Sequence, residues 1–124
     1  MINSKNIFRF VAFIAIVLTL LAAPLLSGAQ TQAISITVVN NSGRAIHHLY
    51  LAAADQNSWG PDQLNGATIS SGGGSYTLSN VSCGGASVKV IGEDQNGCFV
   101  THTSSCAGND SWTITDDIAP DCGN

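Results

Sequence analysis

Trp59 stands in "DQNSWGPDQLNG", residues 55 to 66 of a 124-residue chain, the longest stretch with the signature of neither a strand nor a leader. Asp55, Asn57 and Asp62 surround it. A tryptophan among such side chains can hold a sugar ring, whose apolar face stacks on the indole while carboxylates and amides bond the hydroxyls. Asp55, Asn57, Trp59 and Asp62 are therefore the candidate binding residues. The competing account is structural. Trp59 folds back as a plug over one end of the domain, Gly60 lets the backbone pass close, Pro61 fixes the exit and Leu64 re-enters the core. Burying a large side chain is worth about 2 to 3 kcal/mol. Beyond the leader only Tyr50, Trp59, Tyr76, Phe99 and Trp112 are aromatic, so the plug is favoured.

The acids could do different chemistry. Asp55, Asp62, Glu93, Asp94, Asp116 and Asp117 fall in loops or at strand ends, and if several converged they could supply the roughly six to eight oxygens of a calcium site. "DQNSW" and "DQNG" begin like calcium loops, but neither reaches the glycine and distant glutamate of an EF-hand. Solvated loop acids are the preferred reading; no cofactor is expected, with calcium as the alternative. His47 and His48 are neighbours on a strand and point to opposite faces, His48 with Tyr50 and His47 with Leu49 and Leu51. They cannot grip one ion, and His102 would complete a zinc site only through an unseen strand pairing. No G-x-S-x-G elbow and no C-x-x-C is present, so neither hydrolytic nor thiol-exchange machinery is expected. A non-enzyme is the expectation.

The elements that must position these residues begin after a leader. Lys5 and Arg9 precede an apolar run from Phe10 to Ala23, then Pro24 and "LLSGA", where Ser27 and Ala29 suit a signal peptidase. Residues 1–29 read as a signal peptide cleaved after Ala29, and residues 30–124 as a single domain. The rival is a retained anchor, since Phe10 to Leu26 nearly reaches the about 20 apolar residues of a membrane span. Pro24 and the small-residue exit argue for cleavage, and hence for a secreted or periplasmic protein without membrane attachment. Cleavage leaves Arg44 and Lys89 against eight acidic residues, a net charge of −6. Such a surface makes nucleic acid and anionic lipid poor partners. A domain this small has a thin core that needs staples. Cys83, Cys98, Cys106 and Cys122 supply them as two disulfides.

Ile34, Ile36 and Val38 alternate with polar residues, the period of a half-buried strand. "NNSG" turns the chain into "AIHHLYLA", and after the Trp59 segment come "ATIS", "SYTLS", "ASVKVIG", "CFVTHT" and "SWTIT". Asn96-Gly97 should fold "CFVTHT" back beside residues 86 to 92. About seven short strands with no helical period predict an all-β fold, a small disulfide-stapled antiparallel β-sandwich. Four cysteines permit three pairings. The hairpin favours Cys83 with Cys106 at its open end, which leaves Cys98 for Cys122 to pin the C-terminal tail across the sheet. Asn40, Asn80 and Asn109 each begin N-x-S, which would be glycan acceptors in a eukaryotic secretory route; ordinary turn residues are preferred.

The stretch "ITVVNNSGRAIHHLYLAAADQNSWGPDQLNG" resembles a family of small exported bacterial proteins. The likeness rests on Val39, Asn40, Gly43, Ile46, Leu49, Tyr50, Trp59, Gly60, Asp62, Leu64 and Gly66, and continues more loosely through a Val-rich strand near Cys83 to Cys106. It departs at Asn65, where a second leucine is more usual, and in the extra pair Cys98 and Cys122. The resemblance implies a β-sandwich, export and no assigned activity, and it supplies no catalytic residues. The expectation is thus a secreted non-enzymatic binding or structural module with a carbohydrate or protein partner. The alternative is a calcium- or metal-dependent sandwich domain accessory to a hydrolase.

Overall fold

The computed structural model describes residues 32–123, so the leader and its cleavage point lie outside the described residues. Six strands follow in order: β1 (Ala33–Asn40), β2 (Ile46–Ala53), β3 (Gly74–Ser82), β4 (Ser87–Asp94), β5 (Phe99–Ser105) and β6 (Asp110–Ile114). They form two three-stranded sheets, β3-β1-β6 and β2-β4-β5. The fold is the expected small all-β sandwich.

Alternation builds each layer. Ile34, Ile36 and Val38 of β1 are buried while Ser35, Thr37 and Val39 face outward. They meet Leu78, Trp112 and Ile114 of their own sheet and Leu49, Val90 and Val100 of the other in one core. Gly92 faces inward at the centre of β4, where an added Cβ would lie 3.3 Å from Val100 Cγ2 and 3.5 Å from Ile46 Cγ2. The missing side chain leaves room for Ile46 of β2 and Val100 of β5, its neighbours within the same sheet, to close over the centre of β4.

Two features depart from the expected sandwich. "ATIS" does not form a strand: it contributes one bridge, Ile46 with Ile69. The chain then turns at once through Gly72 and Gly73, both with positive φ, and Gly74 N donates to Ser70 O. The backbones are so close that a Cβ on Gly74 would lie 2.5 Å from Ser70 O, so no ladder can extend past Ile69. The second departure is that β1 and β6 run parallel, with Val38 opposite Trp112. The intervening chain has passed through the other sheet, which is the crossover a parallel pair requires.

The expected hairpin is present, with Ser87 opposite Ser105 through to Glu93 opposite Phe99. Its turn is not the two-residue kind. Gly97 N donates to Asp94 O and Asp94 N to Cys98 O, which makes Gln95, Asn96 and Gly97 a three-residue loop with Gly97 at φ 76°. Asp94 Oδ1 accepts from Asn96 N at 2.8 Å and Cys98 N at 3.0 Å, so a side chain also specifies the loop. Its other oxygen lies 3.2 Å from Arg44 Nε. Those two buried atoms have no well-directed hydrogen bond; they answer each other as charges.

Cys83 pairs with Cys106 and Cys98 with Cys122, with Cα atoms 5.9 and 4.2 Å apart. Both bridges are the expected ones, and they place the domain in an oxidising environment. The second holds the tail against β5, where Phe99 and Asp121 exchange backbone hydrogen bonds of 2.7 and 2.8 Å. The edge of β2 is covered as well, by Gly60 N on Leu51 O and Gln63 N on Leu49 O. Both edges of the β2-β4-β5 sheet are therefore partly capped, which limits pairing with another chain.

Candidate functional site

Because β2, β4 and β5 are in register, their outward side chains fall in rows. His48, Glu93 and Phe99 form one, and Asp121 extends it beyond Phe99. Tyr50, Ile91 and Thr101 form the next, followed by Ala52, Lys89 and Thr103. The loop after β2 lies over this face. Trp59 packs against Tyr50 with centroids 5.4 Å apart and edge-on to Phe99 at 5.0 Å. An indole touching both spans β4, on whose outward face Ile91 is buried although it points away from the core.

Trp59 is nevertheless 43 % exposed. It is not the expected plug. The backbone bonds of residues 60 and 63 to β2 hold the loop alongside the sheet, so the indole reaches the outer face and not the sandwich end. Leu64 does re-enter the core. Half of the ring is spent on packing and the other half is presented to solvent.

Asp62 sets the loop's position. One carboxylate oxygen accepts from Leu49 N at 3.1 Å and Leu64 N at 3.0 Å, and the other accepts from His48 Nδ1 at 2.8 Å. Its charge is thus committed to anchoring. On the same face Tyr50 donates its hydroxyl to Glu93 Oε2 at 3.0 Å, and His48 stacks on Tyr50 at 6.1 Å. The histidine parity is corrected here: a bulge between Ile46 and His48 ejects His47 from the inner face and leaves it exposed, while His48 is half-buried beside Tyr50.

Of the residues named from sequence, the structure brings Trp59 and Asp62 to this face. Asp55 lies instead on a cleft of about 660 Å³ at the end of the domain, whose lining includes Leu51, Gly84, Gly85 and Ser87 and no other ionisable group. Asn57 is exposed and makes no hydrogen bond to the described residues. Tyr50, Phe99 and the place of Glu93 beside them were not anticipated from the sequence. The parity of the β4–β5 hairpin could have paired Glu93 with Phe99, but placing Tyr50 beside them needs the β2–β4 register.

The other acids are dispersed. Asp116 accepts from Gly43 N at 2.9 Å, Asp117 bonds Thr115, and among the described residues no three His, Cys, Asp or Glu side chains converge as a metal site. Asp110 Oδ2 accepts from both His102 Nε2 at 2.9 Å and Ser104 Oγ at 2.8 Å. Ser104 therefore faces the carboxylate and not the imidazole, and this trio is a clamp between β5 and β6, reversed from the order of a proton relay.

The anchors make stability depend on pH. The Asp62 hydrogen bond holds the His48 pKa above its ordinary value, against the opposing effect of desolvation. Desolvation raises Asp62, but the bonds from His48, Leu64 and Leu49 outweigh it and the net shift is downward. Hydrogen bonds from His102 and Ser104 lower Asp110. The two lowered carboxylates contribute stability present above the ordinary aspartate range and lost as pH falls through their folded values. Raised His48 contributes stability present below the ordinary imidazole value and lost as pH rises through its folded one. Melting temperature should therefore decline on both sides of the weakly acidic range. In Asp62→Asn the alkaline decline should vanish and the acid decline, still carried by Asp110, should shrink; an unchanged alkaline arm would show that His48 is not coupled to Asp62.

No protein-family model, curated protein or solved structure matches the chain.

Proposed function

We propose that this chain is an exported, non-enzymatic binding module, of the kind its resemblance to the small exported bacterial proteins implies, and that it engages a saccharide on the outer face of the β2-β4-β5 sheet. The observation that carries this reading is Trp59: 43 % exposed, yet clamped between Tyr50 and Phe99 by a loop with its own carboxylate anchor. A pre-positioned aromatic plane costs little ordering on binding. Around it lie polar groups able to take hydroxyls, above all Glu93. The leader and the two disulfides support a secreted or periplasmic location. The inward commitment of Asp110 and Ser104 supports a binding role over hydrolysis.

A Trp112→Phe variant makes Trp59 the sole fluorophore of its kind. Its emission should be accessible to a neutral quencher, and titration with soluble oligosaccharides should alter it saturably. Trp59→Ala should weaken retention on an oligosaccharide column by at least about tenfold, as expected for a central aromatic anchor. Emission that resists the quencher, or retention unchanged in Trp59→Ala, would remove the platform.

A further inference from the structure

We infer that the saccharide this face selects carries protonated amines, as a polymer of free glucosamine units does, over its neutral N-acetylated and its acidic counterparts. The inference rests on the saccharide reading above and adds the charge of the ligand to it.

Its ground is what flanks the aromatic trio. Glu93 and Asp121 are the immediate cross-strand neighbours of Phe99 on either side, so two carboxylates bracket a ring that Trp59 touches. Each has one committed oxygen, Glu93 Oε2 to the Tyr50 hydroxyl and Asp121 Oδ1 to Gly123 N. Among the described residues neither has a cationic partner within ion-pair distance. Asp62 lies at the rim with its charge answered by His48, which is the cross-strand neighbour of Glu93 on its other side, so the uncommitted negative charge is that of Glu93 and Asp121. Lys89 is the one lysine on the face and stands a row beyond Ile91.

A sugar ring stacked on Trp59 projects its substituents sideways toward those carboxylates. A protonated amine there gains charge-assisted hydrogen bonds and, over the faces of Trp59 and Phe99, an attraction to the ring quadrupoles. An N-acetyl group keeps the hydrogen-bonding ability and loses the charge, while a uronic acid is repelled. The raised pKa of Tyr50, caused by burial first and then by Glu93, agrees with a negative potential at the platform. Because these carboxylates are exposed or half-exposed, the preference must weaken with added salt, while stacking persists.

The test is calorimetric titration of the full folded domain with hexamers of glucosamine, N-acetylglucosamine and galacturonate, at a pH where the amine is charged. The glucosamine hexamer should bind about tenfold more tightly than the N-acetylated one at low salt, the worth of one charge-assisted hydrogen bond. That ratio should fall toward unity in Glu93→Gln and in high salt, with Asp121→Asn as a second variant should the first unfold. Equal affinity for the glucosamine and N-acetylglucosamine hexamers would overturn the inference and leave the platform standing. No binding of any hexamer would overturn both, as would binding of a lysine-rich peptide alone, which would assign the face to a protein partner.

Discussion

A Cys83→Ala/Cys106→Ala variant is expected to lose about 3 kcal/mol from the release of loop constraint in the unfolded chain alone. The two bridges close loops of nearly equal length, with separations of 23 and 24 residues, so that contribution should be nearly the same for Cys98→Ala/Cys122→Ala. What distinguishes them is packing. Cys83 and Cys106 are 8 % and 7 % exposed and both belong to the central core cluster, whereas in the other bridge Cys98 is equally buried but outside that cluster and Cys122 is exposed in the tail. Urea denaturation should therefore rank the first pair as the costlier loss by about 1 kcal/mol or more. Domains of this kind have a total margin of about 5 to 15 kcal/mol, and one of this size sits at the low end. Reduction of both bridges is expected to unfold it. Equal losses from the two pairs would mean that the buried bridge acts only as a tether.

Asn40→Ala should cost about 3 kcal/mol or more, because it orphans several buried groups at once. Asn40 is fully buried at the inner end of β1. Its amide donates to Arg44 O at 2.7 Å and Ile69 O at 3.2 Å, and its oxygen accepts from Ser42 N at 3.2 Å and Ser42 Oγ at 2.7 Å. The side chain satisfies the turn between the two sheets and the single bridge left by the seventh, unformed strand. Asn40→Asp should be worse, since it buries a charge and turns two donor contacts into acceptor against acceptor. Exposed Asn41→Ala serves as the comparison, within about 0.5 kcal/mol of the parent. Chemical denaturation decides it: a loss below about 1 kcal/mol for Asn40→Ala would mean water replaces the amide. The same geometry makes the N-x-S sequence at Asn40 a structural turn, since both amide hydrogens are spent.

Much of this was readable along the chain. The alternation of Ile34, Ile36 and Val38 identified β1 and its buried face, and Asn96-Gly97 located the β4–β5 hairpin and through it both disulfides. These signals are local: a side-chain period of two residues, and a glycine where only positive φ closes the turn. "ATIS" misled because its apolar alternation is real, but the backbone contact between Ser70 and Gly74 stops it as a strand. His47 was assigned to the wrong face for a related reason, since one bulged residue reverses parity and leaves no mark in composition.

Trp59 shows where local reasoning ends. Its neighbours in sequence, Asp55 and Asn57, were the natural candidates to share a ligand with it, yet its partners in space are Tyr50 and Phe99, with Glu93 and Asp121 beside them. From the residues alone came the strand segments, the bridges and the loop that carries Trp59, because each follows from the preferences of a few adjacent residues. Which side chains stand on one face was settled only by the pairing of β2, β4, β5 and the tail, since strand register is fixed by the shared burial of two layers and not by any single segment.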